Sequence, residues 1–199
     1  MPAFTYPAEP HTRRHGPRGY AAYESYRPWL RDEFAFRCVF CLLREQWGHV
    51  RGTFDIDHFL PVASHPEHEL TYDNLLYSCA TCNAAKGRQL VPDPTQALLA
   101  GNVQVNEDGT IDGRTPAARR LIRVLGLDDP EYTELRLLWL GVVDLAERHD
   151  PELYRQLVGF PADLPNLARL RPPGGNTRPA GVRASHFAGK QRGLLPETY

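Results

Sequence analysis

The stretch from Cys38 to Lys86 decides the fold of this chain: it opens with Cys38-Val39-Phe40-Cys41, closes with Cys79-Ala80-Thr81-Cys82, and carries Asp57-His58 almost midway. All four cysteines of the protein fall in these two pairs. Cysteines separated by two residues can present both sulfurs to one ion, and two such pairs complete a tetrahedral zinc site with no open coordination position. The spacing therefore predicts structural zinc bound by Cys38, Cys41, Cys79 and Cys82.

Two other uses of paired cysteines are alternatives to zinc. Disulfides are typical of secreted proteins, but the first residues form a polar, arginine-rich run without the apolar segment of a signal peptide. Redox dithiols share the spacing, yet two copies bracketing Asp57-His58 are hard to explain that way. Structural zinc is therefore favoured. The sequence also has no targeting segment and no apolar stretch long enough to cross a membrane, so we expect a cytoplasmic protein that does not contact membranes.

Length and charge indicate an ordinary globular protein. The chain has 199 residues, of which 42% are hydrophobic and 24% charged, and its formal net charge is −1. This size suits one compact domain with extensions. Because the protein is not a polycation, any contact with nucleic acid must come from local clusters of arginine.

Composition divides the chain into four parts. Residues 1–20 lack hydrophobic periodicity and predict a flexible basic arm, and residues 21–92 contain the cysteine-bracketed core. Residues 93–170 carry a hairpin signal and helical stripes that are best explained by packing on that core. Residues 171–199 are rich in Pro, Gly and Arg and predict a disordered tail.

Within the core, the pattern predicts a strand, a loop, a second strand and a helix. Residues 53–57 alternate apolar with polar, which is the period of a strand, and Pro61 ends it. Residues 75–77 predict a short return strand into Cys79. Residues 80–87 then predict a helix that places Asn83 and Lys86 one turn apart on one face.

Four polar residues in this core have the chemistry of a phosphodiester hydrolase. His58 can act as a general base, because histidine has an ordinary pKa of ~6.5 and can take a proton from water at neutral pH. Asp57 and the side-chain carbonyl of Asn83 are hard oxygen ligands for a divalent cation. Asn74 can hydrogen-bond to the backbone of the His58 loop and hold the imidazole in place.

These residues stand in three ordered motifs that together resemble the HNH endonuclease family. The motifs are Phe54-Asp55-Ile56-Asp57-His58-Phe59-Leu60-Pro61, then Asp73-Asn74-Leu75, then Cys79-x-x-Cys82-Asn83-x-x-Lys86-Gly87, and the resemblance covers about residues 37–90. The third motif carries Asn83 where the founding pattern has histidine. The resemblance implies an α+β fold with a ββα-metal (His-Me finger) core, a four-cysteine zinc staple and, here, a helical extension.

The resemblance also implies an activity, namely hydrolysis of DNA phosphodiester bonds with a catalytic Mg²⁺ or Mn²⁺ ion. His58 would be the general base, Asp57 and Asn83 would hold the ion, and Asn74 would brace the metal-binding loop. Lys86, Arg88, Arg44 and Arg51 flank the motifs and are the predicted nucleic-acid contacts.

Two other functions stay open at this point. The first is a zinc-stabilised nucleic-acid-binding module that does not cleave, and the second is a structural zinc protein whose helices from residue 116 to residue 158 recruit a partner. Those helices could instead pack on the core, bind DNA or form a homodimer, which would bring together two nicking sites for a double-strand break.

Overall fold

The core of the fold is an antiparallel strand pair followed by a helix. A computed structural model of the protein describes residues 3–47 and 53–199. After a 3-10 turn, α1 (Arg27–Glu33) begins with a proline in its first turn, where a missing backbone N–H costs nothing. Strand β1 (Phe54–His58) pairs with β2 (Leu75–Cys79), with Phe54 opposite Cys79 and His58 opposite Leu75.

The helix α2 (Ala80–Lys86) leaves β2 directly. Its N-terminus is capped by the Cys79 sulfur, which accepts a hydrogen bond from the Cys82 amide, and Gly87 ends it with a φ of 50°. The predicted order of strand, loop, strand and helix is therefore confirmed.

The helical extension follows the core. It consists of α3 (Pro94–Ala97), a hairpin of β3 (Val103–Val105) and β4 (Ile111–Gly113), α4 (Pro116–Leu125), α5 (Pro130–His149) and α6 (Pro151–Val158). Thr115 caps α4 with its side chain, and Gly126 ends α4 in the left-handed conformation. Helix α4 packs on α2, so the extension buttresses the core. The architecture is α+β, as predicted.

The first residues are packed, which corrects the prediction of a flexible arm. Phe4 and Tyr6 are buried in the main hydrophobic core, and the Tyr6 hydroxyl donates to the Phe40 carbonyl at 2.7 Å. His15 is fully buried, and its Nε2 lies 2.8 Å from Asp32 of α1. Residues 3–20 therefore belong to the folded domain.

The last residues are also ordered, which corrects the prediction of a disordered tail. They contain α7 (Pro179–Arg183) and α8 (His186–Gln191), and Tyr199 is buried. His186 donates its backbone N–H to the Asp32 carboxylate at 2.8 Å. Both end segments are thus held by α1, because its buried carboxylates accept hydrogen bonds from them. The Pro- and Gly-rich sequence of the end segments does not reveal these distant acceptors.

Among the described residues, no helix combines the length and apolar character needed to cross a bilayer.

Candidate metal centre and catalytic site

The four cysteines form one buried cluster at the base of the core. Their sulfur atoms all lie within 4.8 Å of one another, and the Sγ atoms of Cys41 and Cys79 are 3.7 Å apart. A tetrahedral zinc ion with Zn–S bonds of ~2.3 Å requires sulfurs about 3.8 Å apart, whereas a disulfide requires about 2.05 Å. The cysteines are therefore positioned for zinc and are not disulfide-bonded.

The thiols of this cluster contact one another and a tyrosine of α5. Hydrogen bonds from Cys38 and the other two thiols lower the pKa of Cys79, and hydrogen bonds within the same cluster raise the pKa of Cys41 and Cys82. The first thiolate of this coupled cluster therefore forms at Cys79. The Tyr132 hydroxyl of α5 lies 3.4 Å from the Cys82 sulfur. The extension thus reaches the cluster through a direct polar contact.

The carboxylates of β1 face the polar side chains of α2. Asn83 donates its amide to Asp55 at 3.2 Å. One turn later, the Lys86 ammonium lies 2.8 Å from Asp57 Oδ1 and 2.6 Å from the His58 carbonyl oxygen. Lys86 and Asp57 are both buried, so the structure assigns Lys86 to an internal ion pair that the sequence prediction did not include.

Asp57 retains one unused oxygen atom in this arrangement. Its Oδ2 is buried and has no hydrogen-bond partner among the described residues. Burial raises the pKa of Asp57, although the Lys86 ammonium acts in the opposite direction. A buried carboxylate oxygen without a partner is costly, and it is the kind of donor that a hard cation binds.

The side chain of His58 is oriented by a backbone carbonyl. Its Nε2 lies 3.0 Å from the carbonyl oxygen of Glu69. A carbonyl can only accept, so Nε2 carries a proton, and in the neutral form of the ring the lone pair lies on Nδ1. The Tyr23 ring stands edge-on to the imidazole, with centroids 4.9 Å apart. Neither contact has a signature in the sequence, since one is a main-chain contact and the other comes from a distant segment.

Asn74 fastens the loop that follows His58. Its side-chain Oδ1 accepts from the Leu60 amide at 2.8 Å, and its Nδ2 donates to the carbonyl oxygens of Leu60 at 3.1 Å and His68 at 3.2 Å. Its own carbonyl accepts from the Phe59 amide at 2.8 Å. These are the backbone contacts expected for Asn74 from the sequence. They tie both ends of the loop together.

Helix α1 and the last segment of the chain also hold the turn that carries Asn74. The Tyr72 hydroxyl donates to Glu33 of α1 at 3.0 Å. Arg178 contacts both carboxylate oxygens of Asp73 at 2.8 Å. Sequence inspection missed this support because Arg178 lies far along the chain in a segment predicted to be disordered.

The predicted nucleic-acid contacts have different positions. Arg44 is only 1% exposed, and its guanidinium donates to the main-chain oxygens of Val158 and Tyr199. The prediction for Arg44 is therefore wrong, and Lys86 is likewise buried in its ion pair with Asp57 rather than exposed to a ligand. Arg88 is exposed. Arg51 lies outside the described residues.

Comparison with known proteins agrees with the geometry of this core. Residues 38–89 match the family described as HNH endonuclease. No curated protein matches the chain. The matched segment begins at the first cysteine of the cluster and includes the strand pair, the His58 loop and α2. Residues 38–89 therefore match the HNH endonuclease family, and in this segment the four-cysteine cluster is positioned for zinc.

Proposed function

We propose that the protein is an endonuclease that hydrolyses DNA phosphodiester bonds with a divalent cation, and that His58 is its general base. HNH domains are associated with nuclease activity in general. The observation that carries the specific proposal is the bond from His58 Nε2 to the Glu69 carbonyl. It leaves Nδ1 able to accept a proton from water, while Asn74 keeps the loop in one conformation.

Asp57 and Asn83 are the residues proposed to hold the divalent cation. The unpartnered Oδ2 of Asp57 and the amide oxygen of Asn83 are hard donors, which suit Mg²⁺ or Mn²⁺. When bound, such an ion supplies positive charge for the phosphate and the leaving 3′ oxygen. Asp55 orients Asn83 by accepting from its Nδ2, which keeps the amide oxygen of Asn83 free.

Exposed arginines beside α2 support DNA as the substrate. Arg88 follows α2 directly, and α4, which packs on α2, exposes Arg119, Arg120 and Arg123 and has no acidic residue. A row of guanidinium groups next to the core can contact successive phosphates.

Binding without cleavage is the second candidate, and one observation favours it. The Lys86 ammonium already neutralises Asp57 through its 2.8 Å contact. If the chain itself supplies the cation at this carboxylate, the same core would be a stable nucleic-acid-binding module and would need no second ion.

Cleavage of supercoiled plasmid by zinc-loaded protein separates the two candidates. We expect nicking with Mg²⁺ or Mn²⁺, and His58→Ala should slow it about 10²–10⁴-fold, which is the usual contribution of a general base. The matched control is His68→Ala, since the His68 side chain is 42% exposed in the same loop and only its carbonyl contacts Asn74. It should cleave at the parental rate.

Two outcomes would refute this assignment. Equal cleavage rates for His58→Ala and the parent, with zinc content unchanged in both, would remove His58 from the mechanism. A gel shift of DNA without cleavage in any divalent cation would favour the binding module.

A further inference from the structure

The outward face of α5 exposes three leucines. The buried residues of this 20-residue helix are Arg136, Val143 and Ala146. On the opposite side, Leu137, Leu138 and Leu145 are 49%, 61% and 59% exposed. Because α-helical residues advance by about 100° each, these three leucines share one face that points away from the domain. Large apolar side chains that share one exposed face are typical of an interaction surface.

The residues of this face have the spacing of a helix-pairing seam. Five residues at successive intervals of four, three, four and three positions form what we call the α5 seam: Glu134, Leu138, Gly141, Leu145 and Arg148. The average interval of 3.5 residues keeps one line of side chains against a partner helix. Leu137 borders the α5 seam.

Contacts within one copy of the chain do not explain why the centre of the α5 seam is a glycine. A Cβ atom at Gly141 would meet no heavy atom within 4 Å, so none of the described residues requires glycine there. Glycine is the least favourable helix residue after proline. It does allow a second backbone to approach closely, and the centre of a crossing between two helices is where that property is useful.

The charges at the ends of the α5 seam select the partner and its direction. Glu134 and Arg148 lie at equal distances from Gly141 along the sequence. Arg148 also contacts Asp144 one turn earlier in the same helix, but its side chain is 63% exposed and can reach a second acceptor. If a second α5 runs antiparallel with Gly141 facing itself, each Glu134 lies opposite an Arg148. Leu138 then lies within one residue of the position opposite Leu145. Parallel pairing would instead place Glu134 against Glu134 and Arg148 against Arg148, which is unfavourable.

We infer that the α5 seam is a two-fold, antiparallel interface between two copies of this chain. The seam is self-complementary, as an isologous dimer interface must be. A 20-residue helix is about 30 Å long, so the interface is small, and we expect a dissociation constant on the order of 1–100 µM. The inference goes beyond the proposed function, and neither needs the other: dimerisation requires no cleavage. If both hold, each dimer carries two catalytic sites.

Sedimentation equilibrium of the full chain, without DNA, tests the inference. The parent should associate reversibly, and Leu138→Glu or Leu145→Glu should weaken association at least 10-fold. The matched control is Leu194→Glu, because Leu194 is 69% exposed after α8 and lies outside the seam. It should associate like the parent. Circular dichroism checks that the helices persist in each variant.

Charge reversal tests the direction of pairing. Glu134→Arg alone and Arg148→Glu alone should each weaken the dimer, because two like-charged contacts then replace two opposite ones. The double variant should restore it. Gly141→Leu should abolish association while raising the thermal stability of the monomer, because a better helix former replaces glycine.

Three results would overturn the inference. The first is a parent that stays monomeric at several hundred micromolar, and the second is single charge variants that associate like the parent. The third is a Gly141→Leu variant that still associates. Because all readouts are molecular mass and stability, they remain informative even if the protein cleaves no DNA.

Discussion

Replacing Glu33 by glutamine should destabilise the protein by about 3 kcal/mol. The Glu33 side chain has no solvent exposure. It accepts from the backbone amides of Arg14 at 2.7 Å and His15 at 3.0 Å, and from the Tyr72 hydroxyl at 3.0 Å. His11 Nε2 lies 2.9 Å away. Glutamine keeps the shape but presents an NH₂ group to donors that now find a carboxylate oxygen.

The pKa shift of Glu33 and the number of its hydrogen bonds give the same free-energy cost for this substitution. Burial acts to raise the pKa of Glu33, but the hydrogen bond from His11 and that from the Arg14 amide outweigh it and lower the pKa from 4.5 to about 2. A shift of this size corresponds to about 3 kcal/mol of stability. Alternatively, losing two hydrogen bonds to a charged acceptor costs roughly 1.5–2 kcal/mol each.

The pH dependence of the difference is the decisive measurement. Because the pKa is lowered in the folded state, the stabilisation is complete above about pH 4.5 and is lost as the pH falls through about 2. At pH 7 the variant should melt roughly 6–12 °C below the parent. The difference should shrink steadily in acid, and metal loss there affects both proteins alike.

The control for this experiment is Glu107→Gln, because Glu107 is exposed in the hairpin turn. It should melt within about 1 °C of the parent at every pH. A difference between Glu33→Gln and the parent that is as large at pH 2.5 as at pH 7 would refute the charge-based explanation. It would leave only a change in packing.

Four further substitutions test other contacts. Asn74→Ala, which frees the Leu60 backbone groups, should lower kcat about 10–100-fold with little change in KM; a rise in KM alone in plasmid-cleavage kinetics would contradict a positioning role. Cys38→Ser should lower zinc content, measured by plasma mass spectrometry, and thermal stability together; a stable zinc-free fold would argue against a structural ion. Arg44→Met should lower the free energy of unfolding in urea by about 2–4 kcal/mol without changing the affinity for DNA. Arg88→Ala should weaken the affinity for DNA. A loss of DNA affinity in Arg44→Met would restore Arg44 as a nucleic-acid contact.

Local pattern was sufficient to predict the core of the fold. The cysteine spacing required the four sulfurs to meet, and the alternation in residues 53–57 placed Asp55 and Asp57 on one face of a strand. The contacts of Asn74 followed because an asparagine between two short elements usually bonds to nearby backbone. In each case the determining partners lie within the same short stretch.

The partners and burial of individual charged side chains could not be predicted in this way. Arg44 has the composition of a surface residue, yet its partner Tyr199 lies 155 positions away. Lys86 and Asp57 pair because α2 folds onto β1 at a particular register, and a helix-face argument does not specify that register. The end segments fold for a similar reason: their order depends on Asp32 and Glu33, two carboxylates on a distant helix.

The buried ion pair at Lys86 makes the chain unusually simple to label. Lys86 and Lys190 are the only lysines in the sequence, and Lys190 is exposed on α8. An amine-acylating reagent should therefore modify Lys190 and the α-amino group and spare Lys86 while its ammonium stays between Asp57 and the His58 carbonyl. The number of acyl groups per chain, counted by mass spectrometry, would then report whether that lysine leaves its carboxylate when a divalent salt or a nucleic acid is added.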